Sequence, residues 1–163
     1  LSMTPRYPKL EKFIENIPVS FMQPMPEGLS APLKIAHLAA GLVFCRAGAI
    51  RAAPPDPYYH FHGEELSHTL RLWTRGYACY AIRACIAHHA YRGDNERPGA
   101  IADNVMGHWR STQRIAGLLN QAPKESLSPL ALKELKLYSL GDEQPVSSWE
   151  VEFKINLSSR QIY

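Results

Sequence analysis

The 163-residue chain sets 18 Lys and Arg against 15 Asp and Glu, a formal net charge of +3, with 45% hydrophobic and 20% charged residues. This composition fits a folded domain, excludes wholesale disorder, and lacks the clustered basic face of a nucleic-acid binder. The longest apolar stretch, residues 35–44 interrupted by His37, falls well short of the roughly 18–20 residues that span a bilayer, and neither a membrane partner nor a secretory signal is expected.

Pro5, Pro8, Pro18, Pro24, Pro26 and Pro32 crowd the first 34 residues and predict an extended, looping lead-in, with Lys9–Ile17 as its one short helical candidate. The apolar run 39–45 follows, and its β-rich second half, Leu42–Cys45, predicts a buried strand. Residues 46–50 read as a turn or short helix, and Pro54-Pro55-Asp56-Pro57 as a rigid loop. Glu64–Arg75 is the clearest helix. Leu66, Thr69, Leu70 and Trp73 form one apolar stripe, Glu64, His68 and Arg71 lie opposite, and Gly76 stops the element.

Tyr77–Tyr80 and Cys85–Ala87 read as short strands, and residues 93–99 as a polar loop. A second helix is predicted over 104–119, with Val105, Trp109, Thr112, Ala116 and Leu119 on one stripe. Ser128-Pro129 is a good start for a short helix ending near Tyr138. In the last segment Trp149, Val151, Phe153, Ile155 and Leu157 alternate with polar residues, which predicts a strand, although Ser147 and Glu150 have the spacing of a capping box. Cys45, Cys79 and Cys85 are an odd set without a CxxC pair, which fits reduced thiols and a cytoplasmic protein better than a disulfide framework or structural zinc.

The densest chemistry lies in Phe61-His62-Gly63-Glu64-Glu65. Paired carboxylates at a helix start can accept hydrogen bonds from a polyhydroxyl ligand, and a preceding glycine lets a ligand approach the backbone. Residue types alone favour a plainer reading, in which first-turn acids complement the helix dipole. His60 and His62 have a metal-like spacing if extended, but loop histidines lining a polar substrate cleft are the better expectation. His88 and His89 form a second cluster; on residue types alone, adjacent histidines on opposite faces of a strand are commonly structural.

The wider string carries more. Ala40-Gly41-Leu42-Val43-Phe44, Asp56-Pro57, Gly63-Glu64-Glu65-Leu66 and Arg71-Leu72-Trp73-Thr74-Arg75-Gly76-Tyr77 follow in order. This resembles the acceptor-side motif of the polypeptide hydroxyproline N-acetylglucosaminyltransferases and their bacterial relatives, and more distantly that of the mucin-type polypeptide N-acetylgalactosaminyltransferases. Weaker likeness extends to Leu1-Ser2 with Tyr7-Pro8, to residues 45–50, and to Tyr138, Leu140-Gly141 and 148–157, where the family tail begins with a helix.

The resemblance implies an α/β fold, the C-terminal part of a nucleotide-diphospho-sugar transferase of GT-A-like type. The chain would be one partial domain: a Pro-rich lead-in over 1–37, an acceptor-side core over 38–120 and a helical tail over 121–163. The implied reaction moves N-acetylglucosamine from UDP-GlcNAc to a hydroxyl acceptor, on a protein, with retention of configuration. Glu64 and Glu65 would be the catalytic pair, lining an open cleft; Phe61, His62, Gly63, Gly41 and Arg92 would bind substrate. His89-Ala90-Tyr91-Arg92 matches the family's metal-binding spacing, so His89, with His88 as alternate, would hold a divalent ion, manganese by its ligand chemistry. No Asp-x-Asp pair occurs in the chain. That leaves three readings open: a fragment, one half of a split enzyme whose N-terminal half is a partner, or a degenerate copy. A non-catalytic carbohydrate- or protein-binding module is therefore the alternative function.

Overall fold

The computed structural model describes residues 6–14, 17–39, 41–60, 63–85 and 105–163. The chain opens with β1 (Arg6–Ile14) and β2 (Ile17–Pro24), paired antiparallel from Arg6↔Pro24 to Ile14↔Ile17. This hairpin replaces the helix expected over 9–17. Apolar residues at 10, 13, 14 and 17 have the helical spacing, but a bulge at Glu11, between the pairs Leu10↔Ser20 and Lys12↔Val19, produces it in a strand. The extra residue turns Leu10 and Phe13 to one side, so a spacing of three persists in extended chain. Pro8 and Pro18 are tolerated because a two-stranded ribbon consists only of edges.

β3 (Leu33–Lys34) pairs antiparallel with β4 (Tyr80–Ala81), which is shorter than the Tyr77–Tyr80 strand expected. Cys85 lies outside any strand, and residues 86–87 lie outside the described ones. Between β3 and β4 run α1 (Ala47–Ala52), as read, and α2 (Glu64–Trp73). The strand expected at Leu42–Cys45 does not form: Leu42 and Val43 are exposed and Phe44 is 98% exposed. β propensity needs a pairing partner to become a strand, and this segment has none among the described residues.

α3 (Val105–Leu118) is followed by a 3-10 turn (Lys124–Ser126) and α4 (Pro129–Leu137). α4 starts as expected, with Pro129 at its first position and the Ser128 hydroxyl accepting the Ala131 N–H at 3.2 Å. The buried face of α3 is Ser111, Arg114, Ile115 and Leu118, rotated from the expected stripe; Ala116 is buried, but Trp109 is 48% exposed. Two of the buried positions are polar and hold partners, which an apolar period cannot register.

α5 (Val146–Phe153) ends at Lys154 in the left-handed region and leads to the antiparallel ribbon of β5 (Ile155–Asn156) and β6 (Gln161–Ile162). Of the strand read from alternation over 149–157, residues 149–153 are thus helix, as the family resemblance implied, and Ile155–Asn156 is strand. Helical spacing puts Trp149 and Phe153 on one face, with ring centroids 5.9 Å apart. Pro145 takes the N-cap position instead of Ser147, and Glu150 accepts the Leu157 N–H at 2.7 Å, so no capping box forms.

All three pairings among the described residues are antiparallel two-stranded ribbons, and helix and strand are mixed, in keeping with an α/β chain. α2 lies at the centre. Its Leu66, Leu70 and Trp73 join Leu10, Ile17, Ile115, Trp149, Ile155 and Leu157 in one apolar cluster, while Leu72 joins Met25, Ile35, Ala49, Ala53, Cys79 and Ala81 in another. Leu66 and Leu70 are fully buried, each contributing about 1.5–3 kcal/mol. β6 lies against β1, with Ile162 packed on the first cluster, so the hairpin of the lead-in and the tail share a core. The loop after α4 folds back on the end of α2. Gly141 N–H donates to the Thr74 hydroxyl at 2.8 Å, and Glu143 N–H to the Thr74 carbonyl at 3.0 Å. Among the described residues no helix is long and apolar enough to cross a membrane.

Candidate functional site

Gly63 begins α2 with φ of 88°, a left-handed conformation that side chains rarely adopt. A Cβ there would lie 2.6 Å from Ile115 Cγ1 and 3.2 Å from Tyr59 Cε1. The glycine thus serves the turn into α2 and the close seating of α3; the space on that side is filled by protein. Glu64 and Glu65 occupy the first turn, where the helix dipole favours their charge. Glu64 is half-buried. Burial, then the charge of Glu65, then that of Asp56, raises its carboxyl above the ordinary glutamate value.

The Glu65 side chain is 36% exposed, and its Oε2 lies 3.8 Å from His37 Nδ1. His37 is buried, with Nδ1 within 2.8 Å of the Leu38 carbonyl and 3.1 Å of the Ser20 hydroxyl. The carbonyl fixes the proton on Nδ1, since only a donor can face it. Burial pulls the His37 pKa down to about 4, so at neutral pH the ring beside Glu65 is uncharged.

Behind the carboxylates lies a buried charged array. Arg114 grips Asp56 with both terminal nitrogens, and its Nε lies 3.3 Å from Glu134 Oε2. Arg110 pairs with Glu134 from the surface side. Asp56 also accepts the Tyr58 N–H at 3.0 Å. Arg114 sits 4.5 Å over the Tyr59 ring, and Arg71 5.0 Å over Tyr138. Arg71, expected on the outer face of α2, is 1% exposed and donates to the Pro54 carbonyl at 2.7 Å. The array joins the 54–58 loop, α2, α3 and α4. Asp56 and Arg71 stand in the family-like string, whereas nothing in the sequence singles out Arg114 or Glu134, which only the packing brings together.

The remaining expected residues are dispersed. Gly41 is exposed in the irregular segment 41–46. His60 donates its backbone N–H to Ser111 Oγ at 2.8 Å, and the His68 ring meets the Ala53 carbonyl at 3.0 Å. Phe61, His62, His88, His89 and Arg92 lie outside the described residues. Among the described residues no three His, Cys, Asp or Glu side chains come together as a metal site. Two shallow concavities among the described residues, one lined by Gly117, Leu135 and Leu140 and another by Glu150, Lys154 and Tyr163, include neither Glu64 nor Glu65. What the first turn of α2 offers chemically is a pair of adjacent carboxylates, one with raised proton affinity, held on a helix anchored from below.

A family model described as Glycosyltransferase (GlcNAc) matches residues 6–158. Neither the curated proteins nor the solved structures searched contain a match.

Proposed function

The chain belongs to the GlcNAc glycosyltransferase family, and from that premise we propose that it is the acceptor-side part of a GT-A-like enzyme moving N-acetylglucosamine from UDP-GlcNAc to a hydroxyl on a protein or glycan, with retention of configuration. The observation that carries this reading is the extent of the family match, residues 6–158 of 163. Transfer breaks the bond between the sugar's anomeric carbon and the diphosphate and forms one to the acceptor oxygen. Glu64 and Glu65 take positioning and electrostatic roles, accepting hydrogen bonds from sugar or acceptor hydroxyls. The raised proton affinity of Glu64 suits it to share or take a hydroxyl proton. Phe61, His62, Gly41 and Arg92 complete the proposed substrate surface, while Gly63, against Ile115, shapes the turn that presents the carboxylates.

Manganese is the proposed cofactor, with His89 as the ligand this chain supplies. The described residues form no set that could hold the ion by itself, so no step is derived through it. When bound, such an ion neutralises charge on the leaving diphosphate. The alternative reading, a non-catalytic binding module, rests on the absence of an Asp-x-Asp pair from this sequence.

A transfer assay separates the two. The full natural polypeptide, given UDP-GlcNAc labelled in the sugar and manganese, should release UDP and label an acceptor. Glu64→Gln should lower turnover at least ~10-fold, equivalent to about 1.4 kcal/mol in the transition state. Binding of the donor without turnover would favour the module, and an unchanged rate in the variant would remove Glu64 from the site.

A further inference from the structure

Cys79 is 8% exposed, inside the second apolar cluster with Met25, Ile35, Ala49 and Leu72. Cys45 packs against the same cluster from its rim and is half-buried. After burial, the charge of Cys45 is the second cause that lifts the Cys79 pKa, to about 11. Their frames differ. The Cys79 carbonyl accepts the Ile35 N–H at 2.9 Å, and the next residue, Tyr80, is paired with Lys34 in the β3–β4 ribbon. Cys45 lies near the end of the irregular segment 41–46, whose Leu42, Val43 and Phe44 side chains are exposed, just before α1. Both thiols thus line one apolar cluster, one on a hydrogen-bonded ribbon and the other on irregular backbone that can adjust toward the narrow geometry of a disulfide.

We propose that Cys45 and Cys79 are a modification site, forming a disulfide when the chain meets a disulfide oxidant such as oxidised glutathione and so tying the 41–46 segment to the β3–β4 ribbon. The more accessible Cys45 thiolate attacks one glutathione sulfur and expels one glutathione thiolate, leaving a mixed disulfide. Cys79 then loses its proton to solvent and its thiolate attacks the Cys45 sulfur, expelling the second glutathione. Two protein thiols are oxidised to one disulfide, and the oxidant is reduced to two thiols. Because burial keeps Cys79 protonated near neutrality, the second step is slow and quickens with pH.

The test treats the whole chain with oxidised glutathione at a series of pH values, quenches it with acid and digests it with trypsin without reductant. Cleavage after Lys34, Arg46, Arg75, Arg83 and Arg92 puts the three cysteines on separate peptides, 35–46, 76–83 and 84–92. The main cross-linked species should join 35–46 to 76–83, in the native chain and equally in Cys85→Ser. Its rate of formation should rise close to ~10-fold between pH 7 and pH 8, as the thiolate fraction of a weakly acidic thiol does. Cys79→Ala should stop at a lasting glutathione adduct on Cys45. In urea the preference for this pair should disappear, since folding alone selects it. A lasting mixed adduct on Cys45 in the unsubstituted chain, predominance of a link to Cys85, or the same preference in urea would overturn the proposal.

Discussion

His37 lies almost wholly inside the protein, and what it does there depends on staying uncharged. Its folded pKa of about 4 lies below the ordinary 6.5, so between those values the unfolded chain binds the proton more readily than the native one. The sign follows: stability is full above pH 6.5, falls as pH drops through that window, and the loss is complete near pH 4. The depression amounts to about 3 kcal/mol at most. Glu64, whose proton affinity is raised, works in the opposite sense on the acid side. The measurement is therefore a difference: denaturant unfolding of the protein and of His37→Gln at several pH values, with a flatter profile between pH 6.5 and 4 expected for the variant. Parallel profiles would show that His37 titrates normally. The sequence offered no sign of this role, because a histidine between two apolar runs looks the same whether it faces solvent or a carbonyl. Gly63 was more legible as a special position than as to its purpose: the letter marks a backbone need, and only packing reveals that Ile115 takes the space.

Helix α4 is the element that local chemistry determines most fully. Ser128 accepts the Ala131 N–H and Pro129 needs no donor at the first position, so the start is set within four residues. Ser128→Ala should cost about 1 kcal/mol, measured as a shift of the unfolding midpoint without change in slope; Ser128→Asp should leave stability nearly intact. α2 was equally legible, because its stripe of Leu66, Thr69, Leu70 and Trp73 is buried as its period demands. The misread elements share a cause. A bulge gave β1 a helical spacing, and the tail gave α5 an alternating one, with Val151 left 79% exposed. In both, periodicity in a short window reflects which neighbours happen to cover it, and those neighbours are distant in sequence.

The buried charges decide how the pieces are held together. Asp56, Arg114 and Glu134 are each at most 5% exposed and come from a loop, α3 and α4. Removing one partner of such a pair strands the other in the interior, at a cost of about 3–5 kcal/mol. Asp56→Asn should destabilise the protein on that scale. Adding Arg114→Met to it should cost less than the same change in the native chain, because the partner it would strand at position 56 is already neutral. A double-mutant cycle by chemical denaturation checks this, and strictly additive losses would show the two residues to be uncoupled. Hydrophobic pattern could not predict this joint, since charged residues at 56, 114 and 134 read as surface. The family string did mark Asp56 and Arg71, so part of the array was visible as motif before its packing was known.

The contact between β1 and β6 has one more outcome. The first and last described strands lie against each other, so the hairpin and the tail close one core rather than standing as separate ends. Circular permutation tests that closure: a flexible linker joining Tyr163 to Arg6, with new ends opened in the exposed turn at Glu27-Gly28, should give a cooperatively unfolding protein with an unchanged far-UV spectrum. Loss of the cooperative transition would mean that the hairpin needs its free end to dock.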